Sequence, residues 1–495
     1  MRRKLVMRQV LIIFSTCFLS IICKGQQNFD TLVDYHNYDE LPYSVCQTQD
    51  SGYVFITSGD DYPNNTYWIE FNKLNKDGSI AFKKTFGYLG YQLYVGLSNS
   101  LKPTFDGGWV FGGGLAYPQI SNRRQDGMLV KYSAVGDTEF VKIFGDTSEN
   151  TIYDCIQTSD SGFALVGNTT GYHPSAGNDF WIVKTAANGN ELWERTLGTN
   201  KDEQAFHVIE NASHQLVVSG AKETINTIHF PYVAVYDLQG NLITNKSFNQ
   251  GALTCAGGDI WGYGSYEYTL IGCLDTVINI NDASYPQYVA RLDSSFNFKW
   301  RAVYNASESK EIAFDKGISD GGIILVGYKV DSITGWPVGW IAKVDSSGNK
   351  LWEHFYYRNP NRLAVFTDFQ ETFDHGFIVC GETYGDSSQD SWIVKLDSNG
   401  CLDHTCILNT DTHELTVSDL LFTVFPNPAN DNVTIVTDGE KGSVRLFDLI
   451  GNEVLQRIIE GEKQTILNTS FLTSGIYFMQ FRTGKKLFTA KIVKE

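Results

Sequence analysis

Proline is scarce in this chain, 11 of 495 residues against 46 glycines. Charge is scarce too, at 19%, and it leans acidic, with a formal net charge of −17. An acidic surface excludes nucleic acid and anionic membranes as partners. Long apolar runs are missing beyond the N-terminus: after Val10 to Cys23, no stretch is long enough to span a membrane. Catalytic signatures are missing as well. The chain has no H-E-x-x-H, no G-x-S-x-G before a helix, no phosphate-cradling glycine loop and no D-x-D-x-D cation loop. Its nine histidines are scattered. No cofactor, metal or catalytic residue is therefore expected.

What is present points to strands. Phe, Trp and Tyr make up 14% of the chain, and with Val, Ile and Thr they indicate a β-rich protein with many tight turns rather than a disordered one. The opening "MRRKLVMRQVLIIFSTCFLSIICKGQQ" reads as a secretory signal peptide cleaved near Gly25, its apolar run falling short of the ~20 residues of a spanning helix. Its loss removes Arg2, Arg3, Lys4, Arg8 and Lys24, so −17 less five gives −22. Of nine cysteines, Cys17 and Cys23 leave with this leader. Cys401 and Cys406, close together in "NGCLDHTC", are the expected disulfide of an oxidising compartment. Cys46, Cys155, Cys255, Cys273 and Cys380 sit in strand-like surroundings as small buried hydrophobes.

The chain repeats itself. Lys73, Lys131, Lys184, Lys343 and Lys395 are each followed five residues later by glycine, and four of those glycines are followed four residues later by Phe82, Phe140, Trp193 or Trp352. Two worn copies run Val235–Gly240–Thr244 and Arg291–Phe296–Trp300. A second marker, "DSGYVFI", "DGGWVFG", "DSGFALVG", "DGGIILVG" and "DHGFIVCG", keeps step with the first. The seven copies, about 51–58 residues apart, each hold four strand candidates and no helical periodicity. That unit is a blade, so residues 26–408 are expected to form a seven-bladed β-propeller of four-stranded antiparallel blades. Phe29 to Tyr35 lines up with the fourth strand of a blade that otherwise lacks one, and is expected to pair with the seventh repeat and close the ring.

Residues 29–406 resemble the blades of quinoprotein-like and secreted bacterial repeat propellers. Those alcohol-oxidising quinoproteins use adjacent cysteines and eight blades, neither of which is visible here. After a linker, 409–419, the text changes. "FPNPAND", "FDLIGNEV", "LTSGIYFMQF" and the terminal "KIVKE" resemble the type A C-terminal sorting domain of the type IX secretion system of Bacteroidetes. The matching positions include Phe425, Pro426, Asn427, Pro428, Gly451, Gly475, Lys491 and Lys494. Alternation at Val433 and Ile435, and at Tyr477, Met479 and Phe481, makes 420–495 a small Ig-like β-sandwich. The resemblance implies type IX machinery as partner, and a secreted or outer-membrane cell-surface destination. It also implies frequent cleavage of the domain on arrival.

Function is less legible. The repeated lysines and the aspartates five residues before them, Asp126, Asp179 and Asp390, read as structural, because every blade shares the need they meet. A strand lysine either pairs with a nearby carboxylate or stands in solvent. The Trp series reads as packing between blades. Non-repeating sequence gathers in the loops between second and third strands, where Tyr62, Tyr117, Tyr172, His173, Trp336 and Tyr384 form a candidate face for a glycan or protein. Two alternatives stand beside this binding module: an enzyme with a channel site (hydrolase or quinoprotein-like oxidoreductase), and a purely structural or adhesive surface protein.

Overall fold

A computed structural model describes residues 28–402 and 423–494, apart from 35–37, 62–65, 88–89, 118–124, 147, 172–176, 224–228, 249–259, 264–266, 274–286, 305–309, 332–333, 360, 385–387, 438, 440, 449–452 and 484–485. The leader, the linker, Tyr62, Tyr172, His173, Cys255, Cys406 and Gly451 lie outside the described residues. The chain divides into two compact units, residues 1–408 and 409–495.

The first unit is built of seven antiparallel sheets, five of them with four strands in sequence order from first to fourth. Blade 3 is representative: Asn150–Gln157, Phe163–Thr169, Asp179–Thr185 and Glu191–Leu197. Its second and third strands are buried throughout while the fourth is largely open, so the fourth strand is the perimeter. Blade 2 departs from the pattern, its first strand broken into Gln92–Val95 and Leu101–Pro103. Blade 7 takes Ala364–Glu371, Phe377–Tyr384 and Gln389–Leu396 from the end of the unit and Phe29–Val33 from its start. Phe29 stands opposite Lys395, the register in which Phe82 faces Lys73 and Trp193 faces Lys184, so the N-terminal strand is the missing fourth strand.

Seven buried apolar clusters bridge consecutive blades, one at each seam, including Phe29, Val45, Phe55, Ile378 and Ile393 between blades 7 and 1. The ring is closed.

The repeated residues now have physical reasons. Gly78, Gly136, Gly189, Gly240, Gly348 and Gly400 take φ of +75° to +87° in the turn between third and fourth strands. A Cβ on any of them would come within 2.6–3.0 Å of an aromatic ring from the preceding blade, Phe29, Phe82, Phe140, Trp193, Trp300 or Trp352 in turn. The lysines do not stand in solvent. Lys73, Lys131, Lys184, Lys343 and Lys395 reach the aspartate of their own blade's first turn, Asp50, Asp106, Asp160, Asp320 and Asp374, at 2.5–3.0 Å. Against the pull of partial burial, hydrogen bonds from Lys73, Thr48 and the Gly52 N–H hold the Asp50 carboxyl down at about 2. Blade 4 lacks both partners, with Val235 for the lysine and Ser213 for the aspartate.

The second unit packs a three-stranded sheet, Thr423–Phe425, Asn432–Val436 and Gln464–Asn468, against a four-stranded one, Glu453–Ile459, Gly442–Phe447, Gly475–Thr483 and Lys486–Lys494. Val433, Ile435, Tyr477, Met479 and Phe481 fill the core between them, as their alternation requires.

Candidate functional site

The loop face carries the described members of the predicted set. Trp336 precedes the third strand of blade 6 and Tyr384 ends the second strand of blade 7; they are 42% and 37% exposed on neighbouring blades. Tyr117 is drawn inward instead. Its hydroxyl donates to Asp126 at 2.8 Å and its ring meets Tyr91 edge-on, so it ties a loop to its own blade.

At the centre of the ring, the first strands bring together charges that repeat reasoning missed. Asp154 accepts from the Val208 N–H of blade 4 at 3.2 Å and faces Lys102 at 3.3 Å and His207 at 3.4 Å. Asp368 accepts from the Val45 N–H of blade 1 at 3.0 Å. Burial pushes the Asp368 carboxyl up to about 6, against the opposing pull of the Val45 N–H, Lys316 and Lys102. Burial, and then the like charge of Lys102, lowers the ammonium of half-buried Lys316. Both aspartates are sealed from solvent and bond the backbone of the next blade, which makes them ties across a seam rather than groups that could touch a substrate. The sequence signal was available: they stand four residues before the first turn, where Ser44, Ser100, His207 and Phe314 stand in blades 1, 2, 4 and 6.

A further carboxylate group lies at the closing seam. Oxygens of Asp34, Glu40 and Asp390 lie within 4.8 Å of one another, the one grouping of three or more metal-ligating side chains among the described residues.

On the face formed by the turns between first and second strands, each described clasp joins one blade to the next. The Phe105 N–H donates to Gln157 at 2.6 Å, and the Phe373 N–H to Gln47 at 2.7 Å. At two seams a glutamate takes over. Glu210 accepts both the N–H and the hydroxyl of Ser159, and Glu371 accepts both from Ser319, at 2.5–2.7 Å. The second of these clasps lies in a cavity of about 420 Å³ lined also by Lys343 and His375.

In the C-terminal unit, the "FPNP" segment is tied to the terminal strand through one side chain. Asn427 donates to the Lys491 carbonyl at 2.7 Å and accepts from the Val493 N–H at 2.8 Å. The Ala429 N–H adds a bond to the Val493 carbonyl at 2.7 Å. Residues 423–495 match the family model described as "Secretion system C-terminal sorting domain". The C-terminal unit is a sorting domain. It marks the chain for export through type IX secretion to the cell surface or beyond. Gly475 and Lys494, two of the residues that carry the sorting-domain resemblance, stand opposite each other in its four-stranded sheet.

No curated protein matches the chain in sequence. Among solved structures, it is similar to PorZ, a surface component of the type-IX secretion system of Porphyromonas gingivalis, at 10% identity and a TM-score of 0.34, covering 90% of this chain and 74% of that one. It is also similar to the β-propeller domain of the Trilobed protease from Pyrococcus furiosus, at 12% identity and a TM-score of 0.42, covering 80% and 99%. An inactive virginiamycin B lyase from Staphylococcus aureus gives 10% identity and a TM-score of 0.42, over 74% and 99%.

Proposed function

We propose that this protein is a non-catalytic binding module, displayed on the cell surface or released, whose second-to-third-strand loop face takes a glycan or a protein. The observation that carries the reading is the exposure of Trp336 and Tyr384 on adjacent blades, where Tyr117 on the same kind of loop is packed away. Rigid aromatic rings presented by a closed scaffold supply contact area at little entropic cost. The test is a screen of the purified chain against a glycan array and surface extracts, beside the Trp336→Ala, Tyr384→Ala double variant. Both side chains are exposed, so the fold tolerates the change, and the expected result is at least a ~10-fold loss of binding. Binding unchanged in the variant overturns this site.

The same reading takes residues 1–25 as a cleaved leader, 26–408 as the exported propeller, 409–419 as linker and 420–495 as the sorting domain. It pairs Cys401 with Cys406, a reading supported by the disulfide-bonded state of Cys401. Intact-mass and peptide mapping of the exported protein check both the new N-terminus and the bridge.

A further inference from the structure

Two seams carry the same constellation on the turn face, away from the proposed loop site. In blade 7, His375 Nδ1 lies 3.2 Å from Glu371 Oε1 and 3.4 Å from Ser319 Oγ of blade 6. In blade 4, His214 Nδ1 lies 2.9 Å from Glu210 Oε1, whose carboxylate holds Ser159 of blade 3. Both imidazoles are open to solvent, at 73% and 68% side-chain exposure, while both glutamates are mostly buried.

The seam itself does not need this pair. Gln47 and Gln157 accept the corresponding backbone N–H, of Phe373 and Phe105, with a neutral oxygen, and four residues after each stands a serine, Ser51 or Ser161. Where the clasp residue is glutamate, the residue four on is histidine. Carboxylate and imidazole thus arrive together in this chain. The histidines also occupy a left-handed position, φ +55° for His214 and +60° for His375, which glycine fills without strain in blades 2 and 6. Blade 4 has lost its lysine–aspartate pair yet keeps its glutamate and histidine.

We propose that Glu371 with His375, and Glu210 with His214, are two equivalent chelates for a first-row divalent ion of the zinc class. A carboxylate oxygen and an imidazole nitrogen, each ~2.0–2.2 Å from zinc in tetrahedral geometry, stand about 3.3 Å apart, close to the separations seen here. Imidazole with carboxylate suits Zn²⁺ over Ca²⁺ or Mg²⁺. Nδ1 must give up its proton to bind the ion, and solvent completes the coordination of these open sites.

The experiment is isothermal titration of the purified chain, without a polyhistidine tag, with ZnCl₂ at neutral pH. Two equivalents are expected, one lost in His375→Ala, one in His214→Ala and both in the double variant. Glu371→Gln and Glu210→Gln serve as folded controls, since a glutamine oxygen already accepts the corresponding backbone N–H at other seams. Each should weaken its own site at least tenfold without lowering the melting temperature of the metal-free protein. No uptake overturns the proposal, as does uptake that persists in the double histidine variant, which would send the ion to Asp34, Glu40 and Asp390. Loss in only one histidine variant overturns the equivalence of the pair.

Discussion

Phe296 stands at the turn position that the other six blades give to glycine, with φ +59°, and the blade before it has Thr244 where an aromatic is usual. The bulk has changed sides of one seam: the ring comes from the turn of blade 5 and packs with Val235 and Phe248 of blade 4. Phe296→Gly should therefore cost ~3–5 kcal/mol in denaturant unfolding. Adding Thr244→Trp should restore at least ~1 kcal/mol of it through a non-additive coupling. Asp368 gives a pH prediction. Its folded-state value of about 6 lies above the ordinary 3.8, so the folded chain holds the proton more tightly than the unfolded one. The contribution is stabilising below 3.8 and is lost as pH rises through 6. Asp368→Asn keeps an acceptor for the Val45 N–H, so the step in melting temperature between pH 5 and pH 7.5 should shrink in that variant.

Strands differ in what holds them. Phe29–Val33 pairs with one strand only, and is further fixed by Asp30, which accepts from Trp392 Nε1 at 2.7 Å and from Arg358 at 2.8 Å. Deleting residues 28–34 uncovers the third strand of blade 7 and the turn at Gly78. A lower melting temperature and concentration-dependent association by light scattering are expected. In the sorting domain, the terminal strand is fastened by Asn427, and Asn427→Ala should lower the stability of that domain by about 1–2 kcal/mol in its own unfolding transition.

At the scale of the molecule, the address and the scaffold were legible because each rests on recurring physics. A glycine under an aromatic ring, and a lysine against a turn aspartate, are needed once per blade and so are spelled once per blade. The closing strand was legible for the same reason, as Phe29 had to meet Gly78. The candidate site was less so. Trp336 and Tyr117 look alike in sequence, and only the reach of the Tyr117 hydroxyl to Asp126 separates them. Glu371 with His375 escaped notice because a pairing four residues apart across a β-turn has no helical pattern to announce it. The sorting domain makes one prediction for the whole chain: without residues 423–495, the protein should stay within the envelope, as fractionation of producing cells will show.

The pairing of Phe29 with Lys395 also sets an order of events. Every other blade can assemble from strands that are neighbours in the chain. The last one must wait until residue 396 is free, bridging a separation of more than 350 residues. A chain delivered N-terminus first therefore carries its own latch from the outset but cannot fasten it until six blades are out. The sorting domain, residues 423–495, lies further along the chain. By the time the address can be read, all the sequence needed to shut the ring has already emerged.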